Sequence, residues 1–284
     1  MSINRRRFLD IGMRSTLIFS LPAWVQNPPP TGTLASKETF PWPHGKRAAI
    51  SLSFDEALPS QIDVALDILN KCRVKATFFV VPRRVKEGLE GWKRAVASGH
   101  EIGNHTMTHP CTGNYDWSAD NAIENYSLQM IAKDIDDATA EIQRLLGVTP
   151  KTFAYPCGQM FVGKGRQAKS YVPLVAERFI VGRGPNSDSI NNPGFCDLSK
   201  VYGMAFNDMD YDDMVRQVAE TVHRGSWTIF VGYEISDRRG SQVTTTSALQ
   251  ALCRHITEPS RGIWVDTVEH IGRFIQQEQV KAAK

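Results

Sequence analysis

The chain has 284 residues, with 33 basic and 30 acidic side chains and a net charge of +3. That balance supplies no clustered basic patch of the kind nucleic-acid binding requires, and the apolar run near the start is too short and interrupted to span a bilayer. Five cysteines without a C-x-x-C pair argue against a structural zinc knuckle.

The chain opens with Arg5-Arg6-Arg7 before Phe8-Leu9, followed by a short apolar run at 15–25. A basic start and a short apolar segment form an export-signal pattern, and the consecutive arginines resemble a twin-arginine signal. Residues 1–25 are therefore expected to direct export to the periplasm or cell envelope. The alternative is a basic amphipathic start on a cytoplasmic protein. Residues 26–45 hold Pro28-Pro29-Pro30, Gly32, Pro41 and Pro43, a linker composition, with Phe40 and Trp42 as candidates for packing on the domain downstream.

Residues 46–280 are expected to form one domain, a length that an α/β barrel commonly takes. Strand-like apolar runs recur at 48–54, 76–81, 100–103, 152–155, 178–181, 227–231 and 262–265. Helix-like periodic stretches lie between several of them, at 61–71, 122–146, 211–223 and 247–256. Strands alternating with helices predict a parallel β/α architecture.

Three of the seven histidines fall in Gly99-His100-Glu101-Ile102-Gly103-Asn104-His105-Thr106-Met107-Thr108-His109-Pro110. His105 and His109 are four residues apart, a spacing that lets two imidazoles converge on one metal ion. Pro110 disfavours helical geometry at His109, so a single turn or a loop at a strand end is expected there. A carboxylate source lies upstream, where the run ending in Ser53-Phe54 delivers Asp55 and Glu56. One acid can hold metal while the other serves as base; the spacing alone leaves open which is which, and an ordinary turn or helix cap is the structural alternative.

These residues resemble the polysaccharide deacetylase family, the NodB-homology or carbohydrate esterase family 4 domain. Ser53-Phe54-Asp55-Glu56 is similar to its T/S-F-D-D motif, and Lys75-Ala76-Thr77-Phe78-Phe79-Val80 to its second-strand motif. The histidine stretch resembles G-H-E-I-(G/A)-x-H-(S/T)-x-(S/T)-H-P, and Phe153-Ala154-Tyr155-Pro156-Cys157-Gly158 resembles R-x-P-x-G. The resemblance implies an irregular (β/α)7 barrel of the NodB-like deacetylase type. It implies a metal-dependent hydrolase that removes acetyl groups from N-acetylated or O-acetylated sugars. Asp55 then maps onto the catalytic base, and Glu56, His105 and His109 onto the metal ligands. Zinc suits two histidines and one carboxylate, and cobalt, nickel and iron also bind such sets. A backbone N–H in Tyr155-Pro156-Cys157-Gly158 is the expected oxyanion donor.

Three departures stand out. Glu56 replaces an aspartate and is one methylene longer. Ala154 stands where many members carry an arginine that orients the catalytic aspartate, for which Arg183 is a candidate substitute. Tyr233, in Val231-Gly232-Tyr233, stands where the general-acid histidine is expected, and an unperturbed tyrosine near pKa ~10 is a poorer donor at neutral pH. These departures motivate two alternatives: a carbohydrate- or envelope-binding protein of the same fold with weakened catalysis, or a hydrolase of non-sugar amide or imide bonds. Cys111 follows the histidine motif and Cys157 sits inside the Pro156-Cys157-Gly158 turn; if both motifs line one pocket, an exported protein can join them, and buried free thiols are the alternative. Tyr115 and Trp117 follow the histidine motif and suit stacking on sugar rings or ordinary loop packing. The expected partner is an acetylated carbohydrate or small amide, with no nucleic acid.

Overall fold

The structure, a computed structural model, describes residues 40–284. The expected export signal and most of the expected linker lie outside the described residues.

The fold opens with β1 (Ala48–Asp55), in which every residue is buried. Successive strand residues point to opposite faces. Ile50, Leu52 and Phe54 join the large cluster beneath the surrounding helices. Ala49, Ser51, Ser53 and Asp55 face the other way, toward the interior of the ring. Small residues there leave room for Trp227, whose Nε1 donates to Ser51 Oγ at 3.1 Å. Asp55 is the last residue of this inward row.

Parallel strands β2 (Thr77–Val80), β3 (Glu101–Asn104), β4 (Thr152–Ala154), β5 (Val181–Asn186), β6 (Val201–Ala205) and β7 (Trp227–Gly232) follow in order around the ring. β7 pairs back onto β1 from Ala49↔Trp227 to Phe54↔Gly232, so the seven strands close. This is the (β/α)7 barrel that the resemblance implied. An eighth strand, β8 (Ile263–Val265), pairs with the first half of β1, while β2 pairs with its second half. β8 and β2 thus share one edge of β1, end to end.

Two strand expectations need correction. The run at 178–181 is split: a helix occupies Val172–Arg178 and β5 starts at Val181. Ring strand β6 has no strand-like run in the sequence, because Val-Tyr-Gly-Met-Ala is short and carries an outward, exposed Tyr202. The run at 262–265 is the eighth strand rather than a ring member.

Two further boundaries shift. The helix expected over 122–146 spans Leu128–Leu146, because Ser127 Oγ accepts from the Met130 N–H and caps its start. The packed body also begins before residue 46. Trp42 is buried, donates its Nε1 to the Gly225 carbonyl at 2.9 Å, and packs with Phe40, Trp264 and Phe274.

Candidate active site

The C-terminal ends of the strands surround a pocket of about 870 Å³. Its walls include Asp55 and Glu56 at the end of β1, and Arg83 and Arg84 after β2. His105 and His109 enter after β3, Tyr155, Cys157 and Gly158 after β4, Arg183 from β5, and Tyr233 after β7. Function at this end of a barrel follows from its construction, since the loops there are free to vary over a fixed frame.

Asp55 Oδ2 accepts from Arg183 Nη2, and both side chains are almost wholly buried. Arg183 follows Val181 by two residues and so shares its inward face. Ala154, where the resemblance led us to look for an arginine, pairs in register with Arg183 on the adjacent strand. The guanidinium therefore comes from one strand further around the ring. Burial pushes the Asp55 carboxyl above its ordinary range, against the pull of Arg183 beside it. Asp55 Oδ1 has no hydrogen-bond partner among the described residues.

His105 Nδ1 lies 2.8 Å from the Ala154 carbonyl oxygen. A carbonyl only accepts, so the proton sits on Nδ1 and Nε2 carries the lone pair. Burial holds the His105 ring well below its ordinary pKa, and burial lowers His109 as well. Both rings are neutral at pH 7, the form that binds metal, and their centroids are 4.8 Å apart. The loop between them uses left-handed backbone at Thr106 and His109 (φ 65° and 55°). Asp134 holds that loop: its carboxylate accepts from the Met107 N–H at 2.7 Å, the Thr108 N–H at 3.3 Å and Thr108 Oγ1 at 2.6 Å. Reasoning from sequence missed Asp134. Its signal was an acid on the buried stripe that Ile131, Ile135, Ala138 and Ile142 make on one helix face.

Glu56 lines the same pocket, but its Oε2 meets Arg84 Nη1 at 2.6 Å. Among the described residues no three His, Cys, Asp or Glu side chains converge as a metal-holding group. The donor chemistry for a divalent metal is present in two neutral imidazoles, one with its outer nitrogen fixed by a carbonyl. The arrangement is short of the third ligand.

The turn after β4 leaves few backbone N–H groups free. The Tyr155 N–H donates to the Arg183 carbonyl and the Gly158 N–H to the Tyr155 carbonyl, both at 2.9 Å, and Pro156 has no N–H. The Cys157 N–H is left without a partner among the described residues. Gly158 has φ 66°, and a Cβ there would lie 2.7 Å from the Pro185 backbone, so the turn requires glycine. Tyr155 itself turns its hydroxyl to the Ser199 carbonyl at 2.8 Å. A disulfide joins Cys157 to Cys111, two residues past His109, which fixes the histidine loop to this turn. Tyr233 reaches the pocket, and burial pushes its hydroxyl up to about 12. Tyr115 and Trp117 stack at 5.6 Å with 51% and 65% of their surface exposed, and Trp117 lies 6.0 Å from His109. The two exposed rings, held parallel beside the imidazoles, form a flat aromatic shelf.

Residues 43–171 match the family model described as Polysaccharide deacetylase. This segment resembles a polysaccharide deacetylase domain. The matched segment holds Asp55, Glu56, both histidines and the Tyr155–Gly158 turn; Arg183 and Tyr233 lie beyond it. A gellan lyase from Bacillus sp. is 25% identical over 257 residues, 83% of this chain and 10% of that protein. A chitooligosaccharide deacetylase from Sinorhizobium fredii is 44% identical over 63 residues, 22% of this chain and 29% of that protein. The chain thus spans less than a third of the length of either relative. A provisionally named polysaccharide deacetylase from Mycobacterium smegmatis aligns over 85% of this chain and 94% of its own, with a TM-score of 0.65 and 14% identity, a likeness of fold.

Proposed function

We propose that the chain hydrolyses acetyl groups on N-acetylated or O-acetylated sugars. The observation that carries this reading is Asp55: a buried carboxylate held on one oxygen by Arg183, its other oxygen unpartnered, in the pocket that also holds two neutral imidazoles. In this reading the sugar ring rests on Tyr115 and Trp117 and presents its acetyl group to the pocket floor. Asp55 Oδ1 accepts a proton from the attacking water. The Cys157 N–H stabilises the negative oxygen of the tetrahedral intermediate, an interaction worth roughly 3 kcal/mol in other hydrolases. Tyr233 is a hydrogen-bond donor to the leaving group rather than a ready acid, since its pKa lies near 12.

A divalent metal on His105, His109 and Glu56, zinc foremost, would polarise the carbonyl and acidify water. In this structure the third of those ligands is paired with Arg84 instead. The twin-arginine-like start supports a periplasmic or envelope setting, where acetylated glycans are at hand.

The test is acetate release from an acetylated chito-oligosaccharide. Asp55→Asn, its folding checked by circular dichroism because it leaves Arg183 unpaired, is expected to lose about 10²- to 10⁴-fold in kcat; turnover at the wild-type rate in that variant would refute the base assignment. The Glu56–Arg84 pair favours a second reading, a glycan-binding protein with weakened catalysis, which saturable binding without acetate release would select.

A further inference from the structure

Glu56 and Ala57 take left-handed backbone in succession just past β1, with φ 78° and 61°. Neither is glycine, so the turn persists only because its surroundings hold it. The Glu56 N–H continues the β1 ladder by donating to the Phe79 carbonyl at 2.9 Å. Beyond that point the side chain leaves toward Arg84, which sits on the helix Pro82–Glu87. Arg84 Nη1 reaches both Glu56 Oε2, at 2.6 Å, and the Glu56 carbonyl, at 3.4 Å. A guanidinium thus supplies the positive charge that a divalent cation would bring to the same carboxylate. Glutamate also has one more torsion than aspartate. Its carboxylate lines the same pocket as His105 and His109.

We propose that Arg84 is a latch on the third metal ligand: it holds Glu56 aside, and a divalent cation binds by taking that carboxylate from the guanidinium onto His105 and His109. This rests on reading those three residues as the ligand set. The exchange breaks one ion pair and forms one metal–carboxylate bond, with no proton transferred. Metal binding is then weaker than in a site whose carboxylate is already in place, by the worth of a partly buried, charge-assisted pair. It is also opposed by a guanidinium left near the ion.

The experiment is calorimetric titration of the folded chain with Zn²⁺ alone, repeated with Co²⁺ and its visible absorption band. Arg84→Met is expected to bind about two- to tenfold more tightly than wild type, Glu56→Gln more weakly, and the His105→Ala, His109→Ala double variant not at all. Circular dichroism checks that each variant is folded, and Arg84→Gln replaces Arg84→Met should the latter fail. Affinity in the Arg84 variants equal to or weaker than wild type, or a Glu56→Gln variant that binds as wild type does, overturns the latch. The titration contains no substrate. A protein that shows the tightening but releases no acetate keeps the latch and loses the deacetylase reading, and the converse result does the opposite.

Discussion

Asp55 and Arg183 are a buried ion pair, and such pairs are expensive to break because the survivor is left charged and unsolvated. Arg183→Met is expected to cost about 3–5 kcal/mol of stability and to lower kcat, read by urea denaturation beside acetate release. The register Ala154↔Arg183 supplies a sharper form of the test. Moving the charge one strand over, with Ala154→Arg in an Arg183→Ala background, should recover part of the lost stability if position on the inward face is what matters. No recovery would mean that the approach angle from β5 is essential. Asp134 is a second residue whose charge is placed for a purpose, because it satisfies two backbone N–H groups and a hydroxyl in the loop that carries His109. Asp134→Asn is expected to lose about 1–3 kcal/mol and, on the proposed function, to depress kcat more than KM, since the loop positions His109. Unchanged kcat with normal stability would remove that positioning role.

The histidine motif is one element with two ends, and only its upper end belongs to the pocket. At the lower end His100 Nδ1 accepts from the Ala76 N–H at 3.1 Å, and its Nε2 faces Asn70 Oδ1 at 3.2 Å, so the ring is held neutral between β2 and β3. Glu101 accepts from Thr77 Oγ1 at 2.7 Å and from the Glu269 N–H at 2.9 Å, which ties β3 to the start of the helix Val268–Ala282. Burial, with the nearby charge of Lys75, depresses His100 from 6.5 to about 4. Protons therefore favour the unfolded chain. The stability from this ring is complete above pH 6.5 and is lost as pH falls from there toward 4, on the order of 3 kcal/mol in all. Urea midpoints at pH 7 and pH 4.5 should show the loss in wild type and a shallower one in His100→Asn; identical slopes would place the acid sensitivity elsewhere. At the upper end the Cys111–Cys157 disulfide closes a separation of 46 residues. Reduction, or Cys157→Ser, is expected to cost about 2–4 kcal/mol and to release the histidine loop from the Tyr155–Gly158 turn. Melting with and without reductant measures it.

Across the barrel as a unit, what the sequence made legible tracks the strength of local pattern. β1, β2, β4 and β7 read clearly because both faces are buried and most residues are apolar or small, and β3 read through the histidine motif that contains it. β5 did not, because Val-Gly-Arg-Gly-Pro-Asn carries few apolar residues, and β6 did not, because a five-residue strand with an outward tyrosine resembles a loop. Asp55, His105 and His109 were visible through motif spacing. The Asp55–Arg183 pair rests on strand register, and the Glu56–Arg84 pair on two left-handed residues; spacing encodes neither. At the N-terminal edge Pro41 and Pro43 read as linker, while Phe40 and Trp42, the two aromatics picked out there, pack on the barrel. Phe40 and Trp42 share a cluster with Ala49, Val181, Trp227 and Ile229 from the strands and with Ile271 and Ile275 from the last helix. They therefore tie the start of the described chain to its end across the closure between β1 and β7. A chain beginning at residue 46 should be less stable than one beginning at residue 39 by about 3–5 kcal/mol, the range for deleting a large buried aromatic. Trp42→Ala in the longer chain should account for most of that difference. Equal urea midpoints for the two lengths would show that the barrel closes without the segment, and the domain boundary would return to residue 46.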